Sequence, residues 1–278
     1  MSTRSNAKNI LRDRDLRPKR SFGQNFMMDQ RVNATIRRAV LSLGQGVDVL
    51  EIGAGTGSLT EHLLSIAPMV HAVERDRDLV PILRTNFEQE LNHGKLIIHE
   101  ADGARFDLST IFSPTHQGIM VGNLPYHLTS SIILLALRNH QLLKGAIFLV
   151  QKEVADRILA VTGGKEYGFL PVLLNLAFTM ERVSNVNRNA FWPVPRVDSA
   201  IIKLSSSDRG ISQVEDLDGL LLFVRGTFQK RRKKLSNILQ GTFDKAELVS
   251  LNISPDLRPQ DLSPQQFLEL FLKATTHL

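Results

Sequence analysis

The chain has 278 residues, 42% of them hydrophobic, with 34 Lys and Arg against 28 Asp and Glu, for a formal net charge of +6. That is enough apolar residue for one large domain or a medium one with a small one, and the basic excess suits an acidic partner, of which nucleic acid is the commonest. Cysteine is absent, which excludes disulfides, a cysteine nucleophile and thiolate metal sites.

The first residues hold no apolar signal region, and apolar runs such as 132–137 are too short to span a bilayer, so a cytoplasmic protein is expected. Asp13 and Asp15 weigh against an organellar transit peptide. Residues 1–20 carry Arg4, Lys8, Arg12, Arg14, Arg17, Lys19 and Arg20 with hardly any apolar periodicity. They predict a basic mobile arm, either a solubilising tail or one that contacts phosphates. The stretch from Ser21 to Asp29 is loop-like, and its amides between aromatics suit capping a ligand or capping a helix. Val32, Ile36, Ala39 and Val40 then recur at helical spacing.

Val47, Val49, Leu50 and Ile52 predict a buried strand that runs into Gly53-Ala54-Gly55-Thr56-Gly57, after which Leu59, Leu63 and Leu64 begin a helix. Strand, glycine-rich turn and helix open a nucleotide-binding α/β unit, in which missing side chains let the backbone approach a ligand. The spacing is G-x-G-x-G and not the G-x-G-x-x-G of dinucleotide sites. A second strand over 70–73 ends at Glu74, where a carboxylate can accept from both hydroxyls of a ribose. The alternative for Glu74 is a surface charge paired with Arg75 or Arg77. A third strand over 96–98 leads to Asp102, either an acceptor for an adenine amino group or a turn-capping aspartate.

The fourth strand, 119–122, delivers Asn123, Leu124, Pro125 and Tyr126. An exocyclic adenine amine is a poor nucleophile because its lone pair is delocalised into the ring. An Asn carbonyl and a neighbouring backbone carbonyl can take both N–H hydrogens and hold the lone pair toward a methyl donor. Tyr126 offers a face for a base drawn out of its stack, and Pro125 fixes the local backbone. A loop that merely ends a buried strand is the other use of these residues. Successive strands thus place candidate ligand groups at their carboxyl ends, the edge where open α/β sheets bind ligands.

Further on, Thr129 and Ser130 suit capping of a helix over 132–137, and 146–150 reads as a fifth strand followed by a helix over 153–161. After a glycine-rich turn at 163–168 and an apolar run at 170–178, Phe191-Trp192-Pro193-Val194-Pro195 forms a stiff loop before a strand over 197–204. Phe191 suits either the second face of a flipped base or a packed anchor beside Trp192. Residues 205–210 read as a linker, and the remainder as helical. Phe223, Phe228, Leu235 and Leu239 make one apolar face of a helix closed by Gly241. Arg225, Lys230, Arg231, Arg232, Lys233 and Lys234 crowd the rest of it, so one-signed that phosphate contact is favoured over a merely solvated face. Ser263, Pro264, Gln265 and Gln266 open the last helix as a capping box.

Taken together and in order, Gly23-Gln24-Asn25-Phe26, the segment from Glu51 to Gly57, Glu74, Asp102, Asn123 to Tyr126, Phe191 to Ser199 and Phe228 to Asn237 resemble the rRNA adenine dimethyltransferase family. The match is nearest its small-subunit, KsgA-type branch and covers nearly the whole chain. The resemblance implies an α/β fold, with a Rossmann-like seven-stranded S-adenosylmethionine-dependent methyltransferase domain over 21–206 after the arm. A small all-helical RNA-binding domain over 207–278 would follow it. Also implied is N6,N6-dimethylation of two adjacent adenosines near the 3' end of small-subunit rRNA in an assembling ribosomal particle, by a monomer that needs no metal and no membrane.

By the same matching, Asn25 and Met27 line the cofactor site, Gly53 and Gly55 pass the methionine part, Glu74 takes the ribose and Asp102 the adenine. Asn123, which also belongs to the cofactor-binding set, and Leu124 bind the target amine, while Tyr126 and Phe191 hold the base. Met27 stands where leucine is usual, His127 where asparagine is common, and Val194 interrupts a proline run. Rival readings are the large-subunit branch of the family, a nicotinamide-dependent dehydrogenase and a non-catalytic assembly factor. Glycine spacing and Asn123 disfavour the dehydrogenase.

Overall fold

Apolar runs rich in Val, Ile and Leu form the inner strands of a seven-stranded sheet, whose edge strand over 178–186 is largely polar. Its strands are β2 (Val49–Ile52), β3 (Val70–Glu74), β4 (Leu96–Glu100), β5 (Gly118–Asn123), β6 (Leu143–Gln151), β7 (Phe178–Val186) and β9 (Ser199–Ser206). A separate two-stranded ribbon pairs β1 (Phe26–Met27) with β8 (Phe191–Trp192). The molecule is represented by a computed structural model that describes residues 7–275.

Across the sheet the order is β4-β3-β2-β5-β6-β9-β7. Strands β4 to β6 run parallel, and β9 lies antiparallel to β6. Buried on both faces, β2 and β3 have no exposed residue, as expected of parallel strands covered by helices. The order reverses between β2 and β5, so the carboxyl ends of these neighbours diverge and leave a crevice, the position at which doubly wound sheets bind ligands. Around the sheet lie α2 (Gln30–Leu43), α3 (Ser58–Leu64), α4 (Val80–Asn86), α5 (Glu88–Asn92), α6 (Thr129–Arg138) and α7 (Lys152–Ile158). Val32, Ile36, Ala39 and Val40 of α2 enter the core, as their spacing predicts. Asp29 caps this helix by accepting from Arg31 N at 2.9 Å. The caps expected at Thr129 and Ser130 do not form, because Leu128 is the N-cap and Thr129 Oγ1 donates back to Pro125 O at 3.3 Å.

The basic arm is corrected for the part that is described. Helix α1 (Ala7–Arg12) buries Ala7 and Leu11 against Phe26, Leu79 and Ile82. Lys19 is tied to Asp76 and Asp78. A few apolar residues at helical spacing, hidden among the charges, anchor this segment. Arg4 lies outside the described residues.

The chain divides into two compact units, one formed by residues up to Ala155 with Glu181–Ser205, the other by Asp156–Met180 with Ser206–Leu278. The second unit therefore takes in Asp156–Met180, upstream of the boundary at 206 that the sequence suggested. It contains α8 (Phe169–Ala177), α9 (Leu217–Gln229), α10 (Leu235–Ile238), α11 (Lys245–Ser250) and α12 (Pro264–Thr275). Phe228 stacks on Phe267 at 5.5 Å between centroids and meets the edge of Tyr167 at 6.0 Å. Ser263 and Gln266 form the expected capping box, worth roughly 1 kcal/mol. The single helix expected over 223–239 is broken, since α9 ends at Gln229 and α10 starts at Leu235. Consecutive like charges repel within a helical turn and solvate better in an open one.

In the first unit His71 Nδ1 and His99 Nε2 lie 3.1 Å apart, and burial holds both imidazoles below their ordinary pKa. This contact needs one ring nitrogen to accept, so charging the pair breaks it. A folded pKa below the unfolded value of about 6.5 means that the unfolded chain binds more protons at acid pH. Stability from this pair is therefore lost as pH falls below 6.5. Urea titrations at pH 7 and pH 5 are expected to show wild type losing its advantage over His99→Gln at the lower pH; an unchanged difference would refute the coupling.

Candidate active site

The carboxyl ends of β2, β3, β4 and β5 open into a cleft of about 1160 Å³, measured with its mouth, within the first unit. Asn25, Met27, Gly53, Gly55, Glu74, Asp102, Asn123, Leu124 and Tyr126 all line it. At the glycine turn Gly53 and Gly55 take φ of +77° and +61°, a conformation that residues with a side chain rarely adopt. A Cβ on Gly55 would also meet the Phe26 ring at 3.4 Å.

Glu74 is buried, and its carboxylate braces that turn. Oε2 accepts from Gly55 N at 2.8 Å and Oε1 from Asp76 N at 2.7 Å. Burial raises its pKa and these N–H groups oppose the rise. The surface pairing left open for Glu74 is absent, because Arg75 faces Asp102 at 3.4 Å and Arg77 faces Glu100 at 3.1 Å. Asp102 is held as a turn aspartate at the edge of the cleft, accepting from Ala104 N at 3.0 Å.

Asn123 ends β5, and its Nδ2 donates to Asn25 O at 2.9 Å. A carbonyl oxygen only accepts, so this bond fixes the amide's orientation and leaves Oδ1 as the free-facing acceptor end. Leu124 N donates to Leu149 O at 3.1 Å, and Pro125 O accepts from Leu128 N at 2.9 Å, which pins both sides of the tetrapeptide. Tyr126 is half-buried, with its hydroxyl 3.4 Å from Ser199 Oγ and its pKa raised by burial. A Cβ on Gly23 would meet His127 Nδ1 at 3.3 Å, so the exposed His127 and Gly23 sit side by side in the lining of the cleft.

Phe191 is the correction at this site. It is 3% exposed, packs in the main core and does not line the cleft. Across the ribbon it sits opposite Met27, which does line it, so Phe191 is the packed anchor of its two readings. Its hydrophobic surface is fully used in the core. The sequence reading also misses Glu51 and Asn33, both cleft residues that are 1% exposed. A glutamate inside Val-Leu-Glu-Ile and an asparagine inside the apolar stripe of α2 are the signals that mark them.

Of the basic residues expected to bind RNA, Arg225, Lys230, Arg232, Lys233 and Lys234 are exposed in the second unit. Arg231 is not free, since its Nη2 donates to Lys165 O at 2.7 Å and to Gly164 O at 3.2 Å. Lys234 pairs with Asp256 at 2.8 Å.

Does this cleft fit a nucleoside cofactor that carries an amino acid? A cradle of glycines, a ribose-height carboxylate with lone pairs to spare and a buried, unpartnered amide oxygen on Asn33 all suit one. Comparisons agree with that fit. A dimethyladenosine transferase from Plasmodium falciparum has the same fold, at TM-score 0.75 and 26% identity over 90% of this chain and 97% of that one. The 23S rRNA methyltransferase ErmE matches at TM-score 0.67 and 27% identity, over 90% of this chain and all of that one, at 100%. A Marinomonas protein named ribosomal RNA small subunit methyltransferase A is 37% identical over 254 residues, 91% of this chain and 93% of its own length. Fold and cleft define a Rossmann-like S-adenosylmethionine-dependent methyltransferase with a helical C-terminal part. Within that class, the chain belongs to the ribosomal RNA adenine dimethylase family, whose model matches residues 16–276.

Proposed function

We infer that this chain dimethylates N6 of two adjacent adenosines near the 3' end of small-subunit rRNA, acting as a monomer on an assembling ribosomal particle in the cytoplasm. The observation that carries the reading is the Asn123 amide, locked by Asn25 O so that its carbonyl end is the one offered to an incoming N–H donor.

When bound, S-adenosylmethionine supplies a methyl group already activated on a sulfonium. The chain's task is therefore positioning. Gly53 and Gly55 let the backbone approach the methionine part, Glu74 accepts from the ribose hydroxyls, Asp102 from the adenine amine, and Asn25 and Met27 close the side wall. Asn123 Oδ1 and the Leu124 carbonyl accept the target amine's hydrogens, which localises its lone pair. A monomethylated amine keeps one N–H and one acceptor, so the same pair serves a second transfer. Tyr126 holds the extruded base by stacking, with its hydroxyl anchored near Ser199.

Tyr126→Ala is expected to weaken RNA binding by roughly tenfold, in line with about 1–3 kcal/mol for a base–aromatic stack. Tyr126→Phe keeps the ring and should stay close to wild type. Equal losses in both would assign the effect to the hydroxyl. To test the function itself, adenosines are quantified by mass spectrometry after incubation with S-adenosylmethionine and unmethylated small particles, with large-subunit RNA in parallel. Dimethyladenosine in the small-subunit sample alone is expected; product in the large-subunit RNA alone would move the chain to the other branch, and no product with cofactor bound would leave an assembly factor.

A further inference from the structure

One wall of the cleft is made by residues 22–27, which follow α1 and run into β1. Both ends are anchored, since α1 packs on Leu79 and Ile82 and β1 pairs with β8. The backbone between them is poorly held. Among the described residues, the backbone–backbone hydrogen bonds of residues 19–25 are internal, from Phe22 N and Gln24 N to Lys19 O. Side chains from two strand ends tie this strap to the sheet. At the end of β5, Asn123 Nδ2 donates to Asn25 O at 2.9 Å. Just past β3, the Asp76 carboxylate accepts from Gln24 Nε2 at 2.7 Å and from the Lys19 ammonium, which also reaches Asp78 at 2.6 Å. Gln24 in turn accepts from Lys19 N at 2.8 Å through its Oε1.

Asp76 is 2% exposed, so water does not compete for these bonds. It is itself fixed from behind, because Asp76 N donates to Glu74 Oε1 at 2.7 Å and Asp78 N donates to Asp76 Oδ1 at 3.1 Å. Three donors nearly fill what one carboxylate can accept. Phe22 adds a weaker hold, with the Lys19 ammonium and the Arg75 guanidinium each 5.5 Å from its ring centroid.

We propose that Asp76 is a positioning residue for methyl transfer: by gripping Gln24 and Lys19 it sets the strap, and the strap, through Asn25 O, aims the Asn123 amide. The proposal rests on the reading of Asn123 as the acceptor of the target amine. Asp76 does not line the cleft, so it acts only through the residues it holds. The relay is short. Gln24 and Asn25 are consecutive, so a strap that shifts at Gln24 carries Asn25 O with it, and Asn25 Nδ2 stiffens the link by donating to Gly23 O at 3.1 Å. A Cβ on Gly23 would meet Pro125 Cβ at 3.6 Å, so little space separates strap and tetrapeptide. Once Asn25 O moves away, the amide is free to turn its donor end toward the amine. N–H then faces N–H, and the lone pair is no longer localised.

The test is single-turnover methylation of small particles at saturating S-adenosylmethionine, with the affinity for S-adenosylhomocysteine measured alongside. Asp76→Asn turns the oxygen that faces Gln24 Nε2 into a donor. It should slow transfer roughly tenfold to a hundredfold, the loss that follows when a reacting group is misplaced by about an ångström, while affinity changes far less. Gln24→Glu sets a carboxylate against Asp76 and should slow transfer to a similar extent. Combined, the two substitutions exchange acid and amide, remake the bond with its direction reversed and keep an acceptor for Lys19 N, so the rate should return to within a fewfold of wild type. In the Asn123→Ala background, Asp76→Asn should slow transfer no further, because the amide it aims is gone. Gln24→Met leaves the buried acid intact and carries the same cycle with Asn123→Ala if Asp76→Asn does not fold. Losses that multiply with that of Asn123→Ala would overturn the proposal, as would an exchanged pair no faster than its slower member. Affinity losses as large as the rate losses would also overturn it, by assigning the strap to the cofactor alone. A near-normal rate in Asn123→Ala by itself would overturn the acceptor reading, and the relay with it.

Discussion

Replacing Asn123 by Ala is expected to lower methyl transfer by roughly 10²–10³-fold, the loss typical when one preorganised hydrogen-bonding group is removed from a transition state. Cofactor affinity should change far less. Asn123 Nδ2 is engaged by Asn25 O at 2.9 Å, so truncation removes both the acceptor end and the contact that aims it. Asn25 itself keeps a second hold through its own Nδ2, which donates to Gly23 O at 3.1 Å, and the cofactor wall stays in place. The check is single-turnover kinetics together with calorimetric binding of S-adenosylhomocysteine. A variant with near-normal turnover would remove Asn123 from the chemistry. A variant that no longer binds the nucleoside would show that Asn123 serves the cofactor wall first and the amine only through it.

Much of this cleft is legible in the amino-acid sequence, because a parallel strand announces itself twice. Its interior is an unbroken run such as Ile119, Met120 and Val121, and its carboxyl end must stop with a residue that can face the crevice. Gly53, Glu74, Asp102 and Asn123 follow that rule and converge. Phe191 does not follow it. In a two-residue strand, alternate side chains point to opposite faces, and nothing local says which of Phe191 and Trp192 turns inward. Pairing with β1 decides the matter by setting Phe191 against Met27, a contact between segments far apart in the chain. Glu51 and Asn33 are hidden for the opposite reason. Each occupies a core position by pattern, and a buried polar residue becomes meaningful only when its missing partners can be counted.

Charge reads poorly from sequence because it is a property of the partner as well as the residue. By pattern Lys19 belongs to a solvated arm, yet it is held by Asp76, which is 2% exposed and also accepts from Gln24 Nε2 at 2.7 Å. Arg231 has the same pattern as its neighbours, yet it satisfies two backbone carbonyls of the turn at 163–168. The run from Lys230 to Lys234 therefore mixes a structural residue, a paired one and free ones.

Reversing Lys230, Arg232 and Lys233 together to Glu is expected to weaken RNA binding by roughly two orders of magnitude near 0.1 M salt and to flatten the plot of log affinity against log salt by about 2 to 3. These side chains are exposed, and among the described residues none of them takes part in an ion pair. They project from the turn between α9 and α10, where Lys233 N closes back on Lys230 O at 2.8 Å. Counterions gathered on such a surface are released when phosphate replaces them, and each lost phosphate contact removes about 0.7 to 0.9 from the slope. Two controls separate this from a folding defect. Arg231→Ala should lower the unfolding midpoint of the second unit slightly, since two backbone carbonyls of the turn at 163–168, one of them part-buried, lose their donor, while leaving the salt slope of the surviving protein nearly intact. Lys234→Ala should do little to stability, because its pair with Asp256 is exposed on both sides. A triple variant with an unchanged slope would mean that the cluster is only solvated and that the RNA is held elsewhere. A slope that falls for Arg231→Ala as steeply as for the triple variant would mean that the turn's shape, and not its free charge, is what the RNA meets.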